Sequence, residues 1–177
     1  MEGLERLFVD FSANKLKQLC SRILECLNRL NAGQVWYRGA SNDNAIGNLV
    51  LHLCGNVRQW IGAAVGGTPD IRVRDREFAA RGDISPAELA ERLEATVEEA
   101  VHILSAVTPL RLGERVSVQN YDVTVLEAIY HVVEHFAQHT GQILFITKAL
   151  TRQDLGFYRH LTGTGAPPPP PKGQESP

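Results

Sequence analysis

Apolar residues recur at helical spacing in four long stretches of the chain, and polar residues fill the positions between them. In the first stretch, Leu16, Leu19, Ile23 and Leu27 follow one another three or four residues apart, which places them on one face of a helix. No stretch shows the sustained alternation of apolar and polar residues that is typical of a half-buried strand. The pattern therefore predicts an all-α fold, an antiparallel four-helix bundle with long crossover loops, whose helices span residues 4–30, 44–65, 86–107 and 124–150.

Helix start signals agree with these boundaries. Ser85 and Glu88 flank Pro86 in an arrangement typical of a helix N-terminus, and Thr124 and Glu127 repeat the Ser/Thr-x-x-Glu spacing of a capping box. Between the third and fourth helices, the stretch VSVQNYDV alternates only briefly, which predicts an extended crossover or a small hairpin.

Residues 70–82, DIRVRDREFAARG, are charged and lack helical periodicity. We expect a surface loop, and its length favours a lid or a contact with a partner. The three arginines of this stretch could meet an anionic ligand. However, Asp75 and Glu77 alternate with them and favour a solvated loop that balances its own charge.

Length and composition place the chain among globular proteins of modest size. With 177 residues, 44% of them hydrophobic, it can bury one good core. We expect a single domain over residues 1–162. Residues 163–177 are rich in glycine and proline and form, by composition, a flexible tail that cannot join a core.

Charge and cysteine content narrow the class of protein. The formal net charge is -2, and no basic stripe is present that could bind a nucleic acid. The chain has neither a signal-peptide pattern nor an apolar segment long enough for a membrane span. Its three cysteines, Cys20, Cys26 and Cys54, lack CxxC spacing and fit a reducing compartment, where they serve as small apolar residues. We therefore expect a cytoplasmic protein.

Three histidines lie four residues apart in the fourth helix. His131, His135 and His139 stay on one helical face because steps of four residues advance slowly around the axis. An adjacent pair can bind one metal ion if a third ligand comes from elsewhere, and His52 of the second helix is the candidate. A bundle can bring these two helices together. The alternative is a set of core histidines satisfied by hydrogen bonds, although three unpartnered buried imidazoles would cost about 1–3 kcal/mol each.

Further polar residues accompany His52 on the second helix. Asn48, Asn56 and Gln59 lie within one or two turns of it on its side, so this face either lines a pocket or faces solvent. Cys54 points to nearly the opposite side, which argues against its sharing a metal with His52.

The letters HVVEH, residues 131–135, also match the H-x-x-E-H motif of a class of zinc proteases. That mechanism needs a further acidic ligand downstream, and the only glutamate after the motif is Glu175 in the tail. The residues present favour a site of three histidines instead.

Two segments together resemble the DinB-like superfamily of four-helix-bundle proteins, and in particular its uncharacterised, DUF-type branch. They are LVLHLCGNVRQWI in the second helix and VLEAIYHVVEHFAQHTGQI in the fourth. The resemblance implies a DinB/YfiT-like bundle in which a second-helix histidine and an H-x3-H pair followed by Gly-Gln bind a divalent metal. On this sequence those ligands are His52, His135 and His139, with His131 as an additional histidine at the pocket. Thr140 stands where the family usually has an arginine, a departure that bears on the substrate.

The resemblance also carries implications for function. Characterised relatives include mycothiol-dependent maleylpyruvate isomerase, bacillithiol transferase and metal-dependent hydrolases. The resemblance implies Ni²⁺ or Zn²⁺ as the cofactor, a homodimer, and a thiol S-transferase or hydrolase that acts on a small molecule, with a low-molecular-weight thiol as a candidate partner. The alternative is a non-catalytic metal-binding bundle, a stress-associated dimer.

Catalytic residues are less clear than metal ligands. Three neutral imidazoles leave a divalent ion its full charge and at least one open position, which lowers the pKa of a bound water or thiol. No nucleophile with a matched base emerges from the sequence. The candidates for orienting groups are His131, Glu127 and Gln142.

Overall fold

The computed structural model describes residues 3–162. The four helices predicted from the periodicity are confirmed to within two residues at each end. The predicted tail at residues 163–177 lies outside the described residues. The helices are α1 (Leu4–Asn28), α2 (Ala32–Val35), α3 (Ile46–Val57), α4 (Arg74–Ala79), α5 (Pro86–Ser105) and α6 (Val125–Thr151), with a π-helical segment (Arg58–Val65) that continues α3 and 3-10 turns at Pro109–Gly113 and Arg159–Thr162.

The four long helices pack as a bundle, so the predicted all-α fold is confirmed. Helix α1 packs against α5 and α6, and α3 packs against the same two helices. Helices α1 and α3 therefore occupy opposite corners of the bundle, and α3 lies directly beside α6. The core between them contains fully buried side chains from all four helices, among them Leu16, Leu53, Leu93 and Phe136.

Contacts at the helix ends give the direction of each helix. Arg6 near the start of α1 donates to the carbonyl oxygen of Ser105, the last residue of α5, so these helices run antiparallel. Arg29 just after α1 donates to the carbonyl oxygen of Asp154 just after α6, so α1 and α6 run in the same direction. Because α1 runs with α6 and against α5, α5 and α6 also run in opposite directions.

Helices α3 and α6 run antiparallel, because His52 lies against His139 while the later Trp60 lies against the earlier His131. It follows that α3 and α5 run in the same direction. The chain must therefore travel back along the bundle between them, which is why the connection that contains α4 is long.

The two start signals differ in detail. Ser85 accepts a hydrogen bond from the backbone N–H of Glu88, but the carboxylate of Glu88 pairs with Arg92 one turn later. Thr124 and Glu127 form the complete capping box, since each side chain bonds the other's backbone N–H.

The stretch VSVQNYDV forms the small hairpin that was one of its two predicted forms. Strands β1 (Arg115–Val118) and β2 (Tyr121–Thr124) pair antiparallel. Gln119 and Asn120 connect them with φ values of 50° and 65°, as a two-residue type I′ turn requires. No helix within residues 3–162 has the length and apolarity to cross a bilayer.

Residues 70–82 differ from the expected solvated loop. They contain α4, and Glu77 within it is buried, with 9% of its surface exposed. The charged composition predicted exposure, but Arg72 and Glu77 form an ion pair with each other, at 2.7 Å between Nε and Oε1. A pair that satisfies its own charge and hydrogen bonds can be buried.

Candidate metal centre

Three histidine rings from two neighbouring helices converge on one point. His52 is on α3, and His135 and His139 are one turn apart on α6. The Nε2 atom of His135 lies 3.1 Å from Nε2 of His52 and 3.1 Å from Nε2 of His139. A ligand atom from each of the three histidines lies within 4.8 Å of those of the other two. The structure thus brings together the three residues that the sequence analysis named as metal ligands.

The rings lie between the core and the surface. His52 has 6% of its surface exposed, whereas His135 and His139 are partly exposed. The ring planes of His52 and His139 are nearly perpendicular, at 89°, as are those of His135 and His139, at 85°. Such a cluster presents its nitrogens to one point from different directions and leaves one side accessible.

The hydrogen bonds of His52 show which of its nitrogens faces the cluster with a lone pair. Its Nδ1 lies 2.9 Å from a carboxylate oxygen of Glu77, and that carboxylate also accepts two hydrogen bonds from Arg72, at 2.7 and 2.8 Å. Nη2 of Arg72 also lies 3.1 Å from this Nδ1, but it already donates to the carboxylate at 2.8 Å, and an ionised carboxylate only accepts. The proton between His52 and Glu77 is therefore assigned to Nδ1, which in the neutral ring leaves the lone pair of Nε2 facing the other two rings.

The ring of His139 is also oriented by a hydrogen bond on Nδ1, but its partner is the neutral amide of Gln142. Its Nδ1 lies 2.7 Å from Oε1 of Gln142, so Nδ1–H donates and Nε2 again keeps its lone pair. Gln142, a candidate orienting residue, thus orients one ring of the cluster. The Nδ1 atom of His135 is buried and has no hydrogen-bond partner within residues 3–162.

Burial keeps two rings of the cluster, those of His135 and His139, uncharged. Burial and the neighbouring His139 and His52 lower the pKa of His135 to about 3. Burial also lowers the pKa of His139, although the hydrogen bond with Gln142 opposes this shift. At neutral pH both rings are therefore uncharged and can act as metal ligands.

The donor set fits a divalent transition metal. With metal–nitrogen bonds of about 2.0–2.1 Å, neighbouring nitrogens lie about 2.8–3.0 Å apart in an octahedral site and about 3.3–3.4 Å apart in a tetrahedral site. The two spacings of 3.1 Å around His135 fall between these values. Without a cation, two lone pairs face His135, and one neutral imidazole has a single proton to share between them. One metal ion can accept all three lone pairs, and imidazole suits zinc, nickel, copper and iron alike.

The sequence analysis missed Glu77 and Arg72 as parts of this site. Burial alone raises the pKa of Glu77, but the hydrogen bonds from Arg72 and His52 outweigh it, so the pKa lies below its ordinary value. A signal was present in Gly55, which lies one turn after His52. A Cβ atom there would lie 1.9 Å from Oε1 of Glu77, so α3 needs a glycine where the carboxylate reaches it.

The remaining candidates lie outside the cluster of three nitrogens. His131 packs its ring between Trp60, at 4.0 Å between centroids, and His135, at 5.6 Å. Burial lowers the pKa of His131. The carboxylate of Glu127 bonds both the backbone N–H and the hydroxyl of Thr124, so it caps α6.

The polar residues that accompany His52 on its side of the second helix do not form a solvent-facing surface. Asn48 and Asn56 are buried, and Asn48 donates to the carbonyl oxygens of Glu77 and Ala80. Gln59 lines a cavity and accepts a hydrogen bond from Arg72 at 2.9 Å. Asn48 therefore holds α4 against α3, and Gln59 binds the Arg72 side chain of the Arg72–Glu77 pair.

The bundle and the convergent histidines define a four-helix-bundle protein with a candidate three-histidine metal site. The chain belongs to the family described as "Protein of unknown function (DUF1572)", whose model matches residues 4–162. No curated protein matches the sequence.

Solved structures with the same fold come from several bacteria. A conserved protein from Enterococcus faecalis is 16% identical, with a TM-score of 0.68, and the match covers 81% of this chain and 97% of that one. The DinB-like protein YjoA from Bacillus subtilis is also 16% identical, with a TM-score of 0.64 and coverage of 83% and 96%. A DinB-like protein from Bacillus cereus is 14% identical, with a TM-score of 0.60 and coverage of 75% and 85%. At these identities the likeness establishes the fold.

Proposed function

We propose that this protein binds a divalent transition metal, Zn²⁺ or Ni²⁺, through Nε2 of His52, His135 and His139. The observation that carries the proposal is the convergence of the three Nε2 atoms, two of which have their lone pairs fixed by hydrogen bonds on Nδ1. Partners on the outer nitrogen of this kind are usual for metal-binding histidines.

Metal analysis of protein purified without a histidine tag tests this proposal. We expect about one equivalent of metal per chain, and single alanine substitutions of His52, His135 and His139 should each reduce it severely. His102→Ala is the matched control, because His102 is exposed on α5. Equal metal content in the control and the three variants would contradict the proposal.

We further propose that the metal centre is catalytic and acts on a small molecule, as a thiol S-transferase or a hydrolase. A metal ion bound by three neutral imidazoles supplies a Lewis acid with an open position. The partial exposure of His135 and His139 supports access to that position. The chain's own contribution is to orient the rings through Glu77 and Gln142.

A non-catalytic metal centre that fastens α3 to α6 is the second candidate, because His52 and His135 are already in contact across these helices. Cobalt-substituted protein distinguishes the two. For the catalytic centre we expect 2-mercaptoethanol to produce a thiolate-to-cobalt absorption band, which His135→Ala should abolish. A closed, structural centre should keep its spectrum unchanged when the thiol is added.

A further inference from the structure

The cavity that Gln59 lines is bounded by the Arg72–Glu77 pair and lies apart from the histidines. It has a volume of about 620 Å³ and lies between α3 with its π-helical segment, α5, and the connection that contains α4. Arg72 and Glu77 line it, whereas none of the three clustered histidines does. Its volume is within the range of small-molecule sites, about 300–1,000 Å³.

The cavity combines apolar walls with arginines. Its apolar lining comes from α3, the connection and the residues before α5, and includes Leu51, Ile71, Val73 and Ile84. Four arginines line it, and two of them are already paired, Arg72 with Glu77 and Arg92 with Glu88.

The other two arginines, Arg58 and Arg76, make no side-chain hydrogen bond or ion pair to any residue within 3–162. Two acidic residues besides Glu77 line the cavity, Asp70 and Glu99. Asp70 already accepts hydrogen bonds from Gln59 and from the backbone N–H of Arg72. Glu99 makes no side-chain hydrogen bond or ion pair to a residue within 3–162. The cavity thus offers two unengaged guanidinium groups against one unengaged carboxylate.

We propose that this cavity binds an organic anion whose apolar body contacts the walls and whose carboxylate, sulfonate or phosphate is bound by Arg58 and Arg76. Guanidinium groups bind planar or tetrahedral oxyanions through paired N–H donors. The proposal does not depend on the metal centre, because the cavity contains no histidine of the cluster.

Fluorescence titration with 8-anilino-1-naphthalenesulfonate tests the anion site in the full chain. N-phenyl-1-naphthylamine, which has the same aromatic body without the sulfonate, is the matched neutral probe. We expect one sulfonate probe per chain, bound more tightly than the neutral probe. Arg58→Met and Arg76→Met should each weaken sulfonate binding about fivefold, as for partly exposed charge pairs, and should leave the neutral probe unaffected.

Arg74→Met is the control variant. Arg74 is exposed on α4, as Arg76 is, but it stacks over Phe78 and does not line the cavity. It should bind the sulfonate probe like the wild type. Equal binding of the two probes, several sulfonate probes per chain, or wild-type affinity in the Arg58/Arg76 double variant would overturn the proposal.

The same titration in His135→Ala separates this site from the metal centre. We expect unchanged sulfonate binding there, even though metal binding is lost. If His135→Ala also abolishes sulfonate binding, the probe occupies the histidine cluster and the second site does not exist. That outcome would leave the proposed metal centre intact.

Discussion

Gly55 determines how closely Glu77 can approach helix α3. The carboxylate lies where a Cβ atom of residue 55 would be, at 1.9 Å, and Nε of Arg72 lies 2.8 Å from the same point. Glu77 in turn fixes the proton of His52 on Nδ1. A single missing methyl group on α3 therefore allows the hydrogen bond that orients one of the three candidate metal ligands.

We predict that Gly55→Ala destabilises the protein by about 2–4 kcal/mol, because the buried Arg72–Glu77 pair must shift or separate. Metal affinity should fall about tenfold as His52 loses its partner. Urea unfolding and zinc titration measure the two effects.

Gly141→Ala on α6 is the control, because the new Cβ meets no atom within 4 Å. The gain in helix propensity should leave the free energy of unfolding unchanged or raise it by up to about 1 kcal/mol. Equal effects of the two substitutions would contradict the assigned role of Gly55.

The three cysteines should be unreactive in the folded protein. All three are free and buried. Burial raises the pKa of the Cys20 thiol to about 12 and also raises the pKa of Cys26 and Cys54. Because the thiolate is the reactive form, raising the pKa suppresses reaction at pH 8.

Reaction with Ellman's reagent at pH 8 measures the reactivity of the three thiols. We expect slow reaction of the native protein and rapid reaction of all three thiols in guanidinium chloride. Ser21→Cys, at an exposed position of α1, provides a reactive thiol for comparison. A native cysteine that reacts as fast as this control would show that its burial is incomplete.

Helix α4, like the four-residue α2, is an element that the periodicity did not predict. Six residues are too few to show a helical repeat, and four of them are charged. The helix is held from outside: Asn48, which is fully buried on α3, donates to the carbonyl oxygens of Glu77 and Ala80 and accepts from Arg38. Tertiary hydrogen bonds therefore fix α4 where its own sequence gives no clear pattern.

We predict that Asn48→Ala loosens α4 from the bundle. Removing the amide takes the side-chain donor from the buried carbonyl oxygen of Glu77, whereas the carbonyl oxygen of Ala80 keeps its hydrogen bond from Arg81. We expect a cost of about 2–3 kcal/mol. Trypsin should then cleave the variant faster than the wild type after Arg74, Arg76 or Arg81, with the sites identified by mass spectrometry. Asn42→Ala, at an exposed position, should be cleaved like the wild type. If both variants are cleaved at the same rate, Asn48 is not what holds this helix.

At the scale of the whole molecule, the candidate metal centre joins two helices that are far apart in sequence. His52 and His135 are separated by 83 positions, yet α3 and α6 pack side by side in the bundle. A ligand that binds only the folded arrangement stabilises it. Metal binding should therefore stabilise the bundle as a whole.

We predict that Zn²⁺ or Ni²⁺, at a free concentration about one hundred times its dissociation constant, raises the melting temperature of chelator-treated protein by about 5–10 °C. Differential scanning calorimetry with and without the metal measures this shift. His102→Ala should show the full shift and His135→Ala none. A shift of the same size in His135→Ala would mean that the ion binds elsewhere.

The sequence by itself determined the four long helices, the capping box at Thr124 and the stripe His131, His135 and His139, because each depends on residues within a few turns of one another. The residues also named His52 as the third ligand, and the resemblance of two helical segments added the choice of His135 and His139 from the stripe; the structure brings these three together.

Only the tertiary structure decided the rest. Which nitrogen of His52 faces the cluster depends on Glu77, 25 positions away, and the burial of Glu77 depends on Arg72 and on the missing side chain at Gly55. Sequence patterns report the neighbours of a residue along a helix. Charge pairing and close approach between helices depend on which surfaces meet when the bundle packs. For that reason the sequence predicted a solvated loop for the segment that contains Arg72 and Glu77, although the fold buries this pair against α3.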